Sequence, residues 1–572
     1  MRDKREFYNM LMDIEGKDSS EYARLVGDFD FSRFVLKISQ VPAESSTSPA
    51  LFIVRVPQII AGFPPHYFDT PVRRTALEDF LTRKVADQID TLAQYNEEGI
   101  SRRHLSVAMP GQKILPRTSM LVTEEYVEAR IYVMLPQRDG RVDGERVRDI
   151  FFEELASVVN ASLVYCNLDE RELTAFVNSM EDADQIRQTL SMRGLLGFVA
   201  DGSMLARMGN TDFPDYEAVT PLRVDSDIQV EMEVPNGGTI KGLGIPAGLT
   251  LILGDSYSGR IDLMKALAAG IYNHIPGDGR ELAVTVPDAV SVAAEPGRSV
   301  QKVDVSLFIK EMEAGSQPAE FSTAEAEPSA SQAAGVMEAL EIGARAFLFD
   351  ESTSAAAFLT RDTRLSSLMP EAERRIAPLA QRARHMVDDL GVSIVVAGAA
   401  SVAEFIPVAD TILRIDEYAV YDVTQAAKAL DPAQFQIEED PNPPDFAQER
   451  NRWVVPSSID SSKGTDDQHI VAESIELLRF GRGLINLQNI TQMADKHQTA
   501  TIGLILYYAR LRYMDESRPL REVMDLIDRD LGTEGLEVLS RDLRGDLARP
   551  RRYEIAAALN RLSSLRVSHI ES

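Results

Sequence analysis

The sequence predicts an α/β fold with a mainly parallel sheet, preceded by an α+β domain and followed by a mainly helical domain. Three observations support this prediction. Strand-like and helix-like segments alternate from the turn after residue 234 to about residue 425, as in parallel α/β sheets. One apolar strand leads into a loop bounded by two glycines and then into a helix, and another apolar strand ends in two adjacent carboxylates. We therefore divide the chain into residues 1–220, 221–430 and 431–572, where the third part comprises a linker and the helical domain.

The composition is that of a soluble chain with several cores: 572 residues, of which 44% are hydrophobic. The 60 Lys and Arg residues face 89 Asp and Glu residues, which gives a formal net charge of −29. Such a charge argues against generic adhesion to nucleic acid or to an anionic membrane, because the long-range field repels phosphates. It leaves room for a local basic groove.

Cysteine and histidine usage narrows the chemistry further. A single cysteine, Cys166, excludes an intramolecular disulfide and a cysteine-based metal cluster, and we expect it to pack in a core. The seven histidines are scattered without the spacing of zinc ligands. The first residues are charged, and no apolar run approaches the roughly 18 residues of a membrane helix. The sequence therefore predicts a cytoplasmic protein without a membrane partner.

The N-terminal domain alternates between the two periodicities. Residues 1–70 contain short alternating runs that predict strands, and residues 126–135 predict another strand. Apolar positions spaced as on one helix face predict a helix over residues 71–100. Residues 146–159 and 168–192 are amphipathic and predict two more helices. This mixture predicts an α+β domain.

The central region repeats strand and helix. Its first strand, residues 228–234, ends at a Pro-Asn-Gly-Gly turn. The elements predicted after this turn are, in order, a strand over 249–253, a helix after Gly259, a strand over 346–349, a helix over 370–390, and strands over 392–397 and 411–415. A linker rich in Asp and Pro follows at 438–445, and residues 474–567 are predicted to be mostly helical.

The loop after the strand 249–253 has the context of a phosphate-binding loop. It reads Gly254, Asp255, Ser256, Tyr257, Ser258, Gly259, Arg260, Ile261 and Asp262. In the full motif, G-x-x-x-x-G-K-[ST], loop amides and the helix N-terminus face an anion. Both glycines stand at the required spacing, but Arg260 replaces the lysine and Ile261 replaces the residue that binds Mg²⁺. The alternative is an ordinary strand-to-helix turn.

The second half of the predicted site lies about 90 residues further on. The apolar strand 346–349 ends at Asp350 and Glu351. In a P-loop ATPase the first carboxylate holds Mg²⁺ and the second polarises the attacking water. We therefore predict that Asp350 is a metal ligand and that Asp350 and Glu351 are the catalytic pair. The alternative is that Asp350 caps a neighbouring loop.

At these residues the sequence resembles the predicted ATPases of the ABC class, a family without membrane spans, over nearly the whole chain. The resemblance implies ATP and Mg²⁺ as cofactors, and a head-to-tail homodimer in which each nucleotide lies between two subunits. The motifs that carry it are at 110–112, 116–119, 198–202, 242–248, 272–281, 295–300, 321–323, 331–334, 350–354, 479–482, 548–554 and 560–562.

The chain departs from the family pattern at two places. Family members usually carry Gly-Lys-Ser-Thr where this chain has Gly259, Arg260, Ile261 and Asp262. The family signature Ser-Gly-Ser-Thr-Ser-Gln reads Glu-Pro-Ser-Ala-Ser-Gln over residues 327–332, so its glycine is lost. In an ABC dimer the signature caps the γ-phosphate held by the partner subunit. The resemblance therefore implies that Ser331 and Gln332 contact nucleotide.

The substitutions weaken a nucleotide site physically. The planar guanidinium of Arg260 is not equivalent to a lysine ammonium, and Ile261 has no oxygen for Mg²⁺. Asp255 and Asp262 add negative charge, and each carboxylate–phosphate contact costs on the order of a kcal/mol. We therefore expect weak binding of ATP and Mg²⁺, with hydrolysis weak or absent. Retention of both Asp350 and Glu351 keeps genuine hydrolysis open as an alternative.

Three further functions bear on this expectation. Residues 541–566 contain seven arginines against three acidic residues, which predicts either a patch for nucleic-acid phosphates or a helix end with salt bridges. The resemblance also suggests coupling to nucleic acid. A non-catalytic scaffold, paired with an intact paralogue, is the alternative from a different class. A transporter subunit is disfavoured because the chain shows no membrane-coupling feature.

Overall fold

The computed structural model describes residues 1–41, 48–92, 94–95, 101–102, 104–209, 211–217, 220–312, 317–361, 375–431, 435, 451–464 and 468–568. The predicted linker at 438–445 lies outside the described residues. The chain forms two compact units. The first comprises Met1–Glu181 and Leu536–Arg549, and the second comprises Asp182–Gly535 and Pro550–Ser572.

The first unit is built on a mostly antiparallel sheet. Its strands follow the order Arg2–Asp3, Gly27–Asp30, Val35–Ile38, Ala50–Pro57, Tyr126–Val133 and Leu105–Ser106, with Met120–Val122 also paired to Tyr126–Val133. Its longer helices are Lys4–Ile14, Pro71–Thr91, Gly144–Asp149, Leu155–Ser162 and Glu170–Leu190, the last of which contains the boundary between the units. A π-helical segment, Ile150–Glu154, joins Gly144–Asp149 to Leu155–Ser162. Short strands lie at Gln94–Tyr95, Ser101–Arg102, Lys113–Ile114, Gln137–Arg138 and Arg141–Val142.

Local chemistry explains where the elements of this unit begin. The helix predicted over 71–100 spans Pro71–Thr91, and the hydroxyl of Thr70 caps it by accepting a hydrogen bond from the Arg73 amide.

The prediction that Cys166 packs in a core is wrong, because this residue is exposed. It lies in the turn Tyr165–Asn167, directly after Val164, which supplies the buried side chain at this point.

The second unit contains the predicted parallel sheet. Its seven strands follow the order Arg223–Val224, Ala419–Asp422, Thr411–Asp416, Leu249–Leu253, Ser393–Gly398, Ala346–Asp350 and Ala289–Ser291. All neighbours are parallel except Thr411–Asp416 and Ala419–Asp422, which form a hairpin. A second, antiparallel sheet contains Gln229–Val234, Gly238–Pro246, Leu195–Ala200 and Ala283–Thr285. The α/β prediction is confirmed.

Helices and a large apolar core complete the central region. The helices are Arg260–Ala269, Pro328–Glu341, Ala356–Leu359, Leu379–Leu390 and Thr424–Lys428, and short strands lie at Asn273–His274, Val300–Val303 and Phe321–Thr323. The helix predicted over 370–390 begins only at Leu379, because Pro378 is extended and disfavours helix in the residue before it. Residues 370–374 lie outside the described residues. Leu251, Phe347, Phe349 and Val396 are among the fully buried side chains of the sheet.

The C-terminal region contains strands as well as helices. Its helices are Lys496–Arg512, Leu520–Thr533 and Arg552–Asn560. An antiparallel sheet is formed by Ile470–Ala472, Leu477–Phe480 and Gly483–Asn486, and Trp453–Val454 pairs with Val567–Ser568. The mainly helical prediction missed these strands because runs of two to four residues are too short to show a two-residue period. Among the described residues, every helix is too short or too polar to cross a membrane.

Candidate functional site

The predicted loop and the predicted carboxylates meet at one edge of the parallel sheet. Leu249–Leu253 and Ala346–Asp350 both pair in parallel with Ser393–Gly398, which lies between them. Their carboxyl ends therefore emerge side by side, as at the ligand-binding edge of open α/β sheets. Arg260, from the helix that follows the loop, bridges the two ends by contacting Asp350.

The two loop glycines are required by close packing. Gly259 has φ +95°, and a Cβ atom there would lie 2.7 Å from the ring of Tyr418. A Cβ atom at Gly254 would lie 2.4 Å from the Ser258 hydroxyl. Gly259 directly precedes the helix Arg260–Ala269. This is the strand–loop–helix geometry that the spacing of the glycines predicts.

The loop satisfies part of its own hydrogen-bonding capacity. The Asp255 carboxylate accepts a hydrogen bond from the Tyr257 amide at 2.8 Å. The Ser258 hydroxyl accepts one from the Arg260 amide at 3.3 Å and donates to the Asp255 carbonyl at 2.8 Å. Asp255, Ser256 and Tyr257 are exposed, with Tyr257 at 93%. Two amides of the predicted phosphate cradle are therefore engaged by side chains of the loop itself.

Arg260 and Asp350 form a buried ion pair. The Arg260 Nη1 atom lies 2.9 Å from Asp350 Oδ2, and their side chains are 3% and 12% exposed. The other carboxylate oxygen of Asp350 accepts hydrogen bonds from the amide and the hydroxyl of Ser352. The Arg260 Nε atom has no hydrogen-bond partner among the described residues. Both oxygens of the predicted metal ligand are thus committed to protein donors.

These donors do not fit a divalent cation. ATP and Mg²⁺ binding are general properties of P-loop ATPases. Here the guanidinium of Arg260 contacts the carboxylate that would bind Mg²⁺, and Ile261 offers no oxygen where a serine or threonine hydroxyl is needed. Across the described part of the chain, no group of three or more His, Cys, Asp or Glu residues is arranged to hold a metal ion.

Tyr418 fixes the start of the helix Arg260–Ala269, and no sequence pattern predicts this role. Its hydroxyl donates to Asp262 Oδ2 at 2.6 Å, and its amide donates to the Ser258 carbonyl at 2.9 Å. Burial, followed by the hydrogen bond to Asp262, raises the pKa of Tyr418 above its ordinary value. Glu417 and Tyr418 have φ values of +45° and +60° in the turn after Thr411–Asp416. This left-handed turn brings the ring against Gly259.

Glu351 is held at the edge of the sheet. Its Oε2 atom accepts a hydrogen bond from the Ala399 amide at 2.7 Å, and its own amide donates to the Ala397 carbonyl. No ion pair with Glu351 forms among the described residues. Within the described ranges, the carboxylate of Glu351 is therefore not neutralised by a cation, in contrast to Asp350.

Ser331 and Gln332 are buried within the chain. The Ser331 hydroxyl accepts from the Glu295 amide at 2.8 Å and donates to the Pro328 carbonyl. The Gln332 side chain donates to the Val292 carbonyl and the Ser354 hydroxyl, and accepts from the Ala355 amide. Their exposed fractions are 1% and 0%. In this conformation they support the segment after Glu351, and nucleotide contact by them stays a prediction.

The motif at 272–281 contains a buried cluster of charged side chains. His274 Nδ1 and Arg207 Nη2 both contact Asp278 Oδ2, at 2.8 and 2.6 Å. Burial and the nearby charge of Arg207 lower the pKa of Arg280 to about 10, and the charges of Asp278 and Asp262 oppose this effect. The interaction with Asp262 connects the motif to the first turn of the P-loop helix. His274 thus pairs with a carboxylate of its own motif.

Many of the C-terminal arginines lie in ion pairs. Arg544 pairs with Asp546, Arg551 with Glu554, Arg552 with Asp525 and Arg561 with Glu295. Salt bridges of this kind are the alternative to a nucleic-acid patch that the sequence analysis left open. Nucleic-acid binding by residues 541–566 stays a prediction.

Three segments of the chain match models of known protein families. Residues 169–452 match a model described as a P-loop domain, residues 4–166 match "ATPase of the ABC class N-terminal", and residues 469–568 match "MRB1590 C-terminal domain". The chain belongs to the family of ATPases of the ABC class. The predicted domain boundaries at 220/221 and 430/431 stay predictions.

Two individual proteins are similar to parts of the chain. The uncharacterized protein MJ1628 of Methanocaldococcus jannaschii is 26% identical over 264 residues, which cover 44% of this chain and 56% of the relative. The chain thus spans about half the length of this curated relative. The structure of cbiO1 from Clostridium perfringens, part of the ABC transporter complex cbiONQ, is 14% identical. The match covers 41% of this chain and 92% of the cbiO1 chain. Its TM-score of 0.23 is too low to support an argument about the fold.

Proposed function

We propose that this protein is a nucleotide-binding member of the ABC-class ATPases in which hydrolysis at its own P-loop is weak or absent. The observation that carries the proposal is the 2.9 Å contact between Arg260 and Asp350. A cation of the chain itself neutralises the carboxylate on which Mg²⁺ coordination in a P-loop ATPase depends. Glu351 remains at the sheet edge, but a polarising carboxylate is ineffective without a correctly held triphosphate and metal.

The energetics favour retention of this ion pair. Separating Arg260 from Asp350 costs about 1–3 kcal/mol, because Asp350 loses a charged partner and keeps only its hydrogen bonds from Ser352. Mg²⁺ would have to displace the guanidinium while losing one protein ligand at Ile261. The hydrogen bond from Tyr418 holds Asp262 in place near the position of incoming phosphates. We therefore propose that ATP binds weakly and with little dependence on Mg²⁺.

Phosphate release and ATP affinity test this proposal directly. The wild-type chain and Glu351→Gln should release phosphate from Mg·ATP at the same background rate. A triple variant, Arg260→Lys with Ile261→Ser and Asp262→Thr, restores the family loop and should bind Mg·ATP more tightly than the wild type. Lys265→Arg, on the exposed side of the same helix, is the matched control. Wild-type turnover that disappears in Glu351→Gln would refute the proposal.

A scaffold function is the second candidate, because the loop amides of Tyr257 and Arg260 are already satisfied without phosphate. In this case the chain would pair with an intact paralogue that supplies the working P-loop. Co-purification from the native host distinguishes the two candidates. A stable hetero-complex whose activity needs Glu351 supports the scaffold, whereas an isolated homodimer that binds ATP supports the first proposal.

A further inference from the structure

A cavity of about 450 Å³ lies in the first unit, whereas the P-loop belongs to the second. It lies between the hairpin that joins Gly27–Asp30 to Val35–Ile38 and the helix Leu155–Ser162. Its wall is formed by the apolar side chains of Phe31, Phe34, Val56, Phe152, Val159 and Val164. Ligand pockets are typically apolar cavities of about 300–1,000 Å³ with a few polar groups.

Aromatic rings form a continuous part of this wall. Phe31 and Phe34 are stacked, with ring centroids 5.1 Å apart and an interplanar angle of 14°. Phe152 packs against Phe31 with a centroid distance of 5.3 Å. Aromatic faces and edges can contact either a ring or an alkyl chain, so the wall selects an apolar body by shape.

The mouth of the cavity is polar and carries a positive excess. Lys4, Arg33, Ser157 and Asn160 are exposed there, and the Arg33 guanidinium donates a hydrogen bond to the side-chain amide oxygen of Asn160. Glu153 is the one carboxylate among the lining residues that the structure describes. Two cations against one carboxylate stand out in a protein with a net charge of −29. The mouth therefore complements a negatively charged group.

Two unusual backbone features lie at the same cavity. Ser32 has φ +72° in the hairpin that presents Phe31 and Phe34, where its amide donates to Asp30 Oδ1. A serine in this left-handed region is strained, and such strain concentrates at ligand clamps. Phe152 belongs to the π-helical segment Ile150–Glu154. Single π-helical turns inside α-helices are frequent at functional sites.

We propose that this cavity binds a small amphipathic anion, with its apolar body against the aromatic wall and its carboxylate between Lys4 and Arg33. The cavity, the charge at its mouth and the two backbone features support this site independently. The site does not depend on nucleotide binding at the P-loop. It gives the N-terminal domain a ligand of its own.

Fluorescence with 1-anilinonaphthalene-8-sulfonate, an aromatic anion that brightens in apolar sites, tests the proposal on the full chain. Decanoate and decanol, both below micellar concentrations, then compete for the site with matched chains and different head groups. Lys4→Gln with Arg33→Gln removes the positive mouth, and Arg5→Gln on the same helix is the matched control. Ser157→Phe places a ring at the mouth from an exposed position.

We expect decanoate to displace the dye at a concentration about tenfold lower than decanol, the ratio given by one charge-assisted contact. The Lys4/Arg33 double variant should bring the two competitors to equal strength, Arg5→Gln should change neither, and Ser157→Phe should abolish dye binding. Equal competition in the wild type, or full dye binding in Ser157→Phe with an unchanged melting temperature, would overturn the proposal. Absence of dye enhancement in the native wild type would do the same.

Discussion

Each unit contains a buried arginine–carboxylate pair, and the two pairs differ in how many of their donors and acceptors are hydrogen-bonded. In the described part of the chain, the pair in the first unit is fully bonded, and the pair in the second unit is only partly bonded. Arg130 in the first unit donates from Nε to Glu128 at 3.0 Å, from Nη1 to the Arg544 carbonyl at 2.8 Å and from Nη2 to Glu537. The second oxygen of Glu128 accepts from Arg55. Arg260 at the P-loop has the single contact to Asp350, and its Nε atom lacks a partner among the described residues.

The difference indicates what each pair does. A buried ion pair stabilises a fold when additional hydrogen bonds satisfy the remaining donors and acceptors, as around Arg130. Arg260 is the first residue of the helix after the glycine-bounded loop, and among the described residues its guanidinium is only partly hydrogen-bonded. We infer that the Arg130 pair is structural and that the Arg260 pair primarily neutralises Asp350.

The largest expected effect is on the first unit. Arg130→Met leaves Glu128, which is 1% exposed, with Arg55 as its remaining cation partner in the described part of the chain. We expect the free energy of unfolding to fall by about 3–5 kcal/mol, measured by urea denaturation followed by circular dichroism. Arg138→Met, whose side chain is 78% exposed, is the control and should change it by less than about 0.5 kcal/mol. A loss at Arg130 as small as at Arg138 would show that the pair is not structural.

Arg260→Met should cost less. Asp350 is 12% exposed and keeps its hydrogen bonds from Ser352, so the remaining charge is partly compensated. We expect a loss of about 1–3 kcal/mol, the cost of leaving one polar partner unsatisfied. Trp453, the only tryptophan, lies in the second unit and reports this transition by fluorescence. A loss equal to that of Arg130→Met would remove the distinction between the two pairs.

A carboxyl group whose pKa is set mainly by burial sharpens the comparison through pH. Burial raises the pKa of Glu78 to about 7, while the hydrogen bond from the Val122 amide and the charge of Arg74 oppose the shift. Because the folded chain holds this proton more tightly than the unfolded chain, stability should fall as the pH rises from about 4.5 to 7. Glu78→Gln should flatten the melting temperature over this range, and an unchanged slope would exclude Glu78 as its source.

The sequence predicts which strands and loops form the candidate site, but it does not predict which side chains contact one another there. The apolar strands 249–253 and 346–349 and the spacing of Gly254 and Gly259 are local patterns, so the loop and the carboxylates at one sheet edge could be predicted. The contact of Arg260 with Asp350 joins residues 90 positions apart, and a sequence alone does not specify side-chain direction. Burial of Ser331 and Gln332 likewise depends on how their helix packs.

Cys166 and the C-terminal strands show two further limits. A cysteine is usually buried, but the turn Tyr165–Asn167 exposes this one, and turn geometry overrides residue type. Strands such as Gly483–Asn486 are stabilised by their neighbours in the sheet rather than by their own pattern. The first error arises from the geometry of a local turn, and the second arises where tertiary packing decides.

The smallest expected loss of stability is at Tyr418, which contacts the P-loop through its ring and an uncharged hydroxyl. Tyr418→Phe keeps the ring against Gly259 but removes the hydrogen bond to Asp262. Because Asp262 is half-buried and water can replace the hydroxyl, we expect a loss of only about 1 kcal/mol. Hydrogen exchange of a peptide covering the loop should nevertheless become faster, since the Ser258 to Asp262 segment loses its fixed neighbour. Tyr421→Phe on the same hairpin, whose ring packs under Arg414, is the matched control and should leave that exchange unchanged. If the loop exchanges at the same rate in both variants, the hydroxyl of Tyr418 does not stabilise it. The Arg260–Asp350 ion pair would then be the stronger constraint on the loop, although it has few hydrogen bonds.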